Sequence, residues 1–318
     1  MNLRPTSRSE HVRSGVYALV FAPVALIFMG SSMADLQAQA AVGLPLASVE
    51  GLIGVALATI ILALVSLNCQ ESPAGMYVTS ALSIPIGLSQ AAGYLRVPLL
   101  QSTIFDLPDM RSSVLWSLYP LSVTLITGCA AVALTYARYP AVTINSLVPY
   151  PAITGHRHTW VASLSIPATL IASALFVLAA PNDTSAVSAN GLSALEPAMG
   201  THALETIIAA ILLGLTALVA RFSLTGPQAG AWLIMVVPTY MLVPLWSSIT
   251  GSVVTPGPSV TTQLALASPV IASLGCLLGA STMGIYLARQ RVSVGDEATQ
   301  LDTQRDQNNG DETRLADK

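Results

Sequence analysis

Residues 47–68 read ASVEGLIGVALATIILALVSLN, an apolar run in which Glu50 is the only charged residue. A helix needs about 20 mostly apolar residues to cross the hydrocarbon core of a bilayer. The apolar residues of this run are continuous and do not alternate with polar ones. Only helices and closed barrels satisfy the backbone polar groups in lipid, and this pattern favours the helix. The run therefore predicts a membrane-spanning helix.

Seven further stretches have the same character. They are residues 14–33, 75–95, 113–137, 159–180, 203–222, 231–251 and 264–288. Of the 318 residues, 53% are hydrophobic and 9% are charged, where a soluble domain has about a quarter charged. The net charge of -3 leaves no basic stripe to neutralise phosphates, which excludes a nucleic-acid partner. We expect an all-α polytopic membrane protein with eight transmembrane helices.

The arginines predict the orientation of these helices. With the N-terminus inside, the cytoplasmic segments near the membrane hold Arg4, Arg8, Arg13, Arg138, Arg157, Arg221, Arg289 and Arg291. The outer loops hold only Arg96 and Arg111. Because cytoplasmic loops carry the excess of basic residues, both termini are predicted to be cytoplasmic. Lys318 is the only lysine among the 13 basic residues, so the chain strongly prefers arginine. This preference indicates a GC-rich bacterial genome, and we therefore expect the protein in a bacterial plasma membrane.

The two halves of the chain resemble each other. Arg13 precedes Pro23 by ten residues, and Arg157 precedes Pro167 by ten. Glutamates open the second and sixth spans, prolines lie in the third and seventh, and the fourth and eighth end on tyrosine and arginine. An even number of spans per unit keeps both units in one orientation. The sequence therefore predicts two parallel four-helix repeats related by an axis along the membrane normal.

This pattern divides the chain into five parts. We expect a basic cytoplasmic segment at 1–13, a first repeat at 14–140, a cytoplasmic linker at 141–156, a second repeat at 157–291 and an acidic tail at 292–318. The tail has too little apolar content to offset its ordering entropy, so it is predicted to be disordered.

Glu50 and Glu205 are the first candidates for a functional site. Each lies in the first turn of its helix, where the helix dipole alone favours a carboxylate. The functional alternative is a pair of acids that line an outward vestibule and bind a cation. Pro85 and Pro244 would then bend the helices beside that vestibule, as broken helices do in transporters. We take these four residues as the substrate-binding candidates.

Other candidates have simpler interpretations. His202 and Glu205 have a spacing that a metal site uses, but Ala47 takes the histidine's place in the first repeat and no third ligand is evident. Asp106 and Asp109 could act on a lipid-linked substrate, although aspartates beside proline are ordinary turn residues. Known phosphate-loop and nucleophile motifs are lacking in the sequence. We predict no metal, no cofactor and no catalytic residue.

Gly275 and Gly279 form a G-x-x-x-G pattern in the last span. Small residues four positions apart let membrane helices approach closely. In a chain with eight helices, the partner is expected to be another helix of the same chain.

Three functional hypotheses follow, with membrane lipid as a partner in each. The first is a non-enzymatic subunit of a larger envelope or transport assembly, which would add other membrane chains as partners. The second is a repeat-type permease for a small solute or lipid, with its vestibule near Glu50 and Glu205. The third, a membrane enzyme on a lipid-linked substrate, has the least support because no catalytic motif accompanies it.

Overall fold

The computed structural model describes residues 8–41, 48–68, 72–95, 108–138, 155–184, 202–237 and 260–316. Within these ranges the chain forms nine helices and no strand. In chain order they are α1 (Arg8–Ala41), α2 (Val49–Asn68), α3 (Ala74–Ala91), α4 (Pro108–Ser117), α5 (Tyr119–Arg138), α6 (Gly155–Ala179), α7 (Ala203–Val219), α8 (Thr225–Val236) and α9 (Val260–Ala316).

Four of the described helices are long and apolar enough to cross a membrane, namely α1, α2, the Thr159–Ala179 part of α6 and the Val260–Ala288 part of α9. A fifth candidate is the pair α4 and α5, bent by 48° at its break. The 17-residue helix α7 is about 26 Å long at 1.5 Å per residue, which is short of a core of about 30 Å. The described residues are therefore all-helical, and four or five of the eight predicted spans are long and apolar enough for a membrane-embedded protein.

The third, sixth and seventh predicted spans are not among these candidates, each for its own reason. Helix α3 is less apolar because serine, threonine and glutamine side chains interrupt it. The sixth predicted span, 203–222, is a helix that ends at Val219. The seventh, 231–251, is described only as far as residue 237. Its helix, α8, begins at Thr225, six residues before the predicted start of the span.

The helices pack in two sets with a shared centre. Helix α1 packs against α2 and α3, and α3 packs against α5. Likewise α6 packs against α7 and α8, and α8 packs against α9. Helices α5 and α9 pack against each other, while α5 also contacts α7 and α9 also contacts α2. The span in α9 is 72% buried and the span in α6 only 22%, so α9 lies near the centre and α6 at the periphery.

The outer helix faces are covered with large apolar side chains. Exposed examples are Leu19, Val20, Ile53, Leu57, Ile60, Leu164, Ile171, Leu204, Ile211 and Trp232. So many exposed apolar side chains are unfavourable in water and favourable against lipid. The centre is equally apolar, with Ile126 and Leu134 of α5 and Leu274 and Leu277 of α9 fully buried.

Gly275 lies in close contact with α8. A Cβ atom at this position would lie 2.9 Å from Ile234 Cγ1 and 3.0 Å from the carbonyl oxygen of Ala231. At Gly279 the nearest atom to such a Cβ would be Ala231 Cβ, at 3.6 Å. The partner helix of the G-x-x-x-G pattern is thus α8 of the same chain, and only Gly275 has no room for a side chain.

Helix α9 continues to Ala316 and includes most of the segment predicted to be disordered. Aspartate, threonine, asparagine, glycine, valine and serine, which have lower helix propensity, make up 14 of the 25 residues at 292–316. Neither the composition of this segment nor its local propensity predicts the helix.

Candidate functional site

A break in the fourth predicted span is the centre of the candidate site. Helix α4 ends at Ser117, α5 begins at Tyr119, and Leu118 between them has a φ of 42°. This left-handed conformation is unfavourable for a residue with a Cβ atom. In a continuous helix the carbonyl of Trp116 would accept from residue 120, but Pro120 has no N–H. The hydroxyl of Thr206 in α7 donates to that carbonyl instead, at 3.1 Å.

A buried amide and phenol lie beside the break. The Nε2 atom of Gln90 donates to the carbonyl oxygens of Leu26 and Ile27, both at 3.2 Å. The hydroxyl of Tyr119 donates to Oε1 of Gln90 and lies 3.3 Å from the carbonyl oxygen of Leu26. A Cβ atom at Gly30 would overlap the Gln90 amide, so the packing of α1 here requires glycine. These contacts fix α3 and α5 against one turn of α1.

The next turns of α1 carry further polar contacts. Asp35 is buried and accepts a hydrogen bond from the hydroxyl of Ser48, which itself accepts from the backbone N–H of Gly51 at 2.9 Å. Gln37 Nε2 donates to the carbonyl of Leu266 in α9 at 3.3 Å. We call residues 26–37 the α1 polar segment. Through its side chains and carbonyls it reaches α2, α3, α5 and α9.

Several buried polar atoms lack a hydrogen-bond partner among the residues that the structure describes, and three of them belong to serines 112, 113 and 122 on either side of the break. They are Ser32 Oγ, Gln37 Oε1, Ser112 Oγ, Ser113 Oγ, Ser122 Oγ, Glu205 Oε2 and Thr262 Oγ1. A buried unsatisfied donor or acceptor costs about 1–3 kcal/mol, so native structures rarely leave one without water, ion or ligand. The set consists mainly of neutral hydroxyl and amide groups, which suit hydrogen bonds to a neutral polar molecule.

The structure places the predicted glutamates near this region but in different surroundings. Glu205 is half-buried, and its Oε1 lies 3.2 Å from His202 Nδ1. It directly precedes Thr206, the residue that contacts the break. Glu50 is also half-buried and follows the Ser48 cap at the start of α2.

The remaining candidates contribute less to the region. Pro85 is exposed on α3, which continues through it to Ala91, and its carbonyl accepts from Ser89 Oγ at 2.8 Å. Pro244 and Asp106 lie outside the described residues, and Asp109 is described only as part of α4. In the described part of the chain, no three or more His, Cys, Asp or Glu residues group closely enough to hold a metal ion.

Sequence reasoning missed Asp35, Gln90, Tyr119 and Thr206. All four are buried in the structure. A signal was present, because Gln90 lies inside the predicted third span and Asp35 follows the first by two residues. Polar side chains are expensive inside a membrane protein and tend to mark functional positions.

No family model, curated protein or solved structure matches this chain.

Proposed function

We propose that this chain is a membrane permease of two four-helix repeats, which conducts a small neutral polar solute past the break between α4 and α5. The observation that carries the proposal is the break itself. It has a proline-freed carbonyl at Trp116 and buried serine hydroxyls at positions 112, 113 and 122 that lack a described partner. Transporters place their sites at such discontinuous helices between repeats, because irregular backbone inside a membrane is tolerated where it lines a cavity.

The burial pattern supports the repeat. The order of buried and partly exposed residues is nearly the same along positions 119–135 of α5 and along positions 270–286 of α9. Positions 56–68 of α2 and 207–219 of α7 do the same. Both comparisons use one spacing of 151 residues along the chain. Unrelated apolar helices have no reason to agree in register over two separate pairs.

Individual contacts support the same spacing. Gly128 of α5 packs against Ser80 of α3, and Gly279 of α9 packs against Ala231 of α8. Ser72 accepts from the backbone N–H of Ala74 at the start of α3, as Ser223 does from Thr225 at the start of α8. Each residue of the second set lies 151 positions after its counterpart in the first.

This register refines the alignment expected from the sequence. It pairs Glu205 with Gly54, so Glu50 lies one helical turn away from the equivalent position. It also pairs Leu118 at the break with Pro269, the proline inside α9. One repeat then has an open break where the other has a proline in a continuous helix. Such an asymmetry suits a site in which only one of two equivalent helices opens.

The arginine distribution orients the proposed route. With both termini cytoplasmic, α1 crosses from inside to outside, and the α1 polar segment lies in its second half. The break would then face the outer half of the membrane. The hydroxyl and amide groups around it would recognise the hydroxyls of a neutral solute, because a few placed polar groups orient a ligand in an otherwise apolar site.

Osmotic swelling of vesicles tests this function. The purified full-length chain is reconstituted into lipid vesicles, and stopped-flow light scattering follows the entry of glycerol, erythritol or glucose. We expect at least one of these solutes to enter faster than into protein-free vesicles. The variant Gln90→Leu should lower that rate, whereas Ser89→Ala, on the half-buried neighbouring residue whose hydroxyl bonds within α3, should leave it unchanged.

Entry rates equal to those of protein-free vesicles for all three solutes would overturn the proposal. The chain purified from its native host then decides what replaces it. A stoichiometric co-purifying membrane chain, seen by native mass spectrometry, would support the subunit hypothesis instead.

A further inference from the structure

A second feature lies at the opposite end of α1 and is independent of the permease proposal. Arg13 and Tyr17 of α1 line an open groove together with Leu64, Leu67 and Asn68 of α2. The groove has a volume of about 470 Å³. Asn68 is the last residue of α2, and Arg13 lies in the second turn of α1. The groove is therefore at the ends of two membrane helices, where lipid headgroups lie.

The groove has both polar and apolar walls. Arg13, Asn68 and the Tyr17 hydroxyl can donate hydrogen bonds, while Leu64 and Leu67 supply apolar surface. The apolar surface continues towards the middle of both helices through exposed Val20 and Ile60. A ligand that fits has an anionic head for the groove and an apolar tail for the helix faces beyond it.

We propose that this groove binds the headgroup of an anionic phospholipid, with an acyl chain lying along the exposed faces of α1 and α2. The guanidinium of Arg13 matches a phosphate in charge and in its fork of donors. The groove volume falls in the range of small-ligand sites, which is ample for a headgroup but too small for two acyl chains. The exposed Val20 and Ile60 therefore carry the tail.

Lipid binding to the full-length chain in detergent tests the proposal. Native mass spectrometry counts bound phosphatidylglycerol and, in a parallel titration, phosphatidylcholine with the same acyl chains. We expect the anionic lipid to bind more tightly. Arg13→Gln should weaken its binding about fivefold, since one basic residue near an anionic headgroup contributes on this order.

Matched variants make the result specific. Arg221→Gln removes an arginine just beyond the end of α7, whose guanidinium lies 4.9 Å from the ring centre of Phe222, and should leave binding unchanged. Arg13→Lys should keep most of the affinity. If Arg13→Gln fails to fold, Asn68→Ala tests the other polar wall of the groove and should weaken phosphatidylglycerol binding.

Three results would overturn the proposal. Equal binding of the two lipids would show that charge is not recognised. Equal losses of phosphatidylglycerol binding in Arg13→Gln and Arg221→Gln would show that the lipid does not depend on the arginine of this groove. Displacement of phosphatidylglycerol by millimolar inorganic phosphate would assign the groove to a free anion.

Discussion

The hydroxyl of Thr206 donates to the carbonyl oxygen of Trp116 at 3.1 Å, and this bond joins the two predicted repeats. The Trp116 carbonyl has no backbone partner at position 120 because Pro120 has no N–H to offer it. A residue from α7 therefore completes a hydrogen bond that α4 and α5 leave unmade. The break depends on its neighbour in the other half of the chain.

Thr206→Val should lower the free energy of unfolding by about 1–2 kcal/mol, because valine keeps the side-chain shape but leaves the Trp116 carbonyl unsatisfied. Thr216→Val, on the same helix and also buried, is the control. Its hydroxyl donates to the Leu212 carbonyl within the helix, which adds little because the helix already uses that carbonyl. Unfolding in mixed detergent micelles measures both variants, and equal losses would show that the Trp116 contact has no special value.

Gln90 and Tyr119 should be energetically coupled, since the phenol donates to the amide oxygen and both side chains are buried. A double-mutant cycle with Gln90→Leu and Tyr119→Phe should give an interaction energy of about 0.5–3 kcal/mol in the unfolding free energy. Effects of the two changes that add to within about 0.5 kcal/mol would contradict the coupling.

The helical membrane architecture could be predicted from the sequence because it depends on local composition. A run such as 47–68 specifies its helix with no knowledge of its neighbours, and the structure has that helix at Val49–Asn68. Helix length was harder to predict. Hydropathy does not mark where α7 stops, and it cannot show that the fourth span contains a break at Leu118.

The candidate site could be predicted only in part, because it depends on contacts between distant segments. Gln90 meets Leu26 across 64 residues, and Thr206 meets Trp116 across 90. Only the presence of polar residues in apolar runs is visible beforehand, and the choice of Glu50 and Glu205 followed charge. In this membrane helix bundle, the buried neutral groups make most of the described polar contacts around the break.

Gly275→Ala should lower the free energy of unfolding by about 1–3 kcal/mol, because the new methyl group meets the backbone of α8 and has nowhere to move. Gly279→Ala, one turn later, should be neutral or stabilise by up to about 1 kcal/mol, since its methyl group makes only ordinary contact and alanine favours a helix. The two variants are compared by thermal unfolding in detergent. The reverse order of stability would contradict the packing of α9 on α8.

Leu118→Gly should be better tolerated than Leu121→Gly, although both leucines are half-buried. Glycine relieves the positive φ at position 118, worth about 1 kcal/mol, whereas at position 121 it weakens a helix by a similar amount. The difference in unfolding free energy is expected to be about 2 kcal/mol. Equal losses would indicate that α4 and α5 form a continuous helix in the membrane.

Joint substitution of Glu50→Gln and Glu205→Gln separates the two locations for a permease site. A vestibule formed by the two acids predicts that this variant loses solute entry while Gln90→Leu keeps it. A site at the break predicts the opposite, because the groups around Leu118 are mainly neutral and Gln90 fixes α3 against α1 beside them. The swelling assay with a conducted solute reads out both variants. Since glutamine preserves the shape of glutamate and its hydrogen-bonding oxygen, loss of entry in the double variant would assign the route to the carboxylate charges and away from the break.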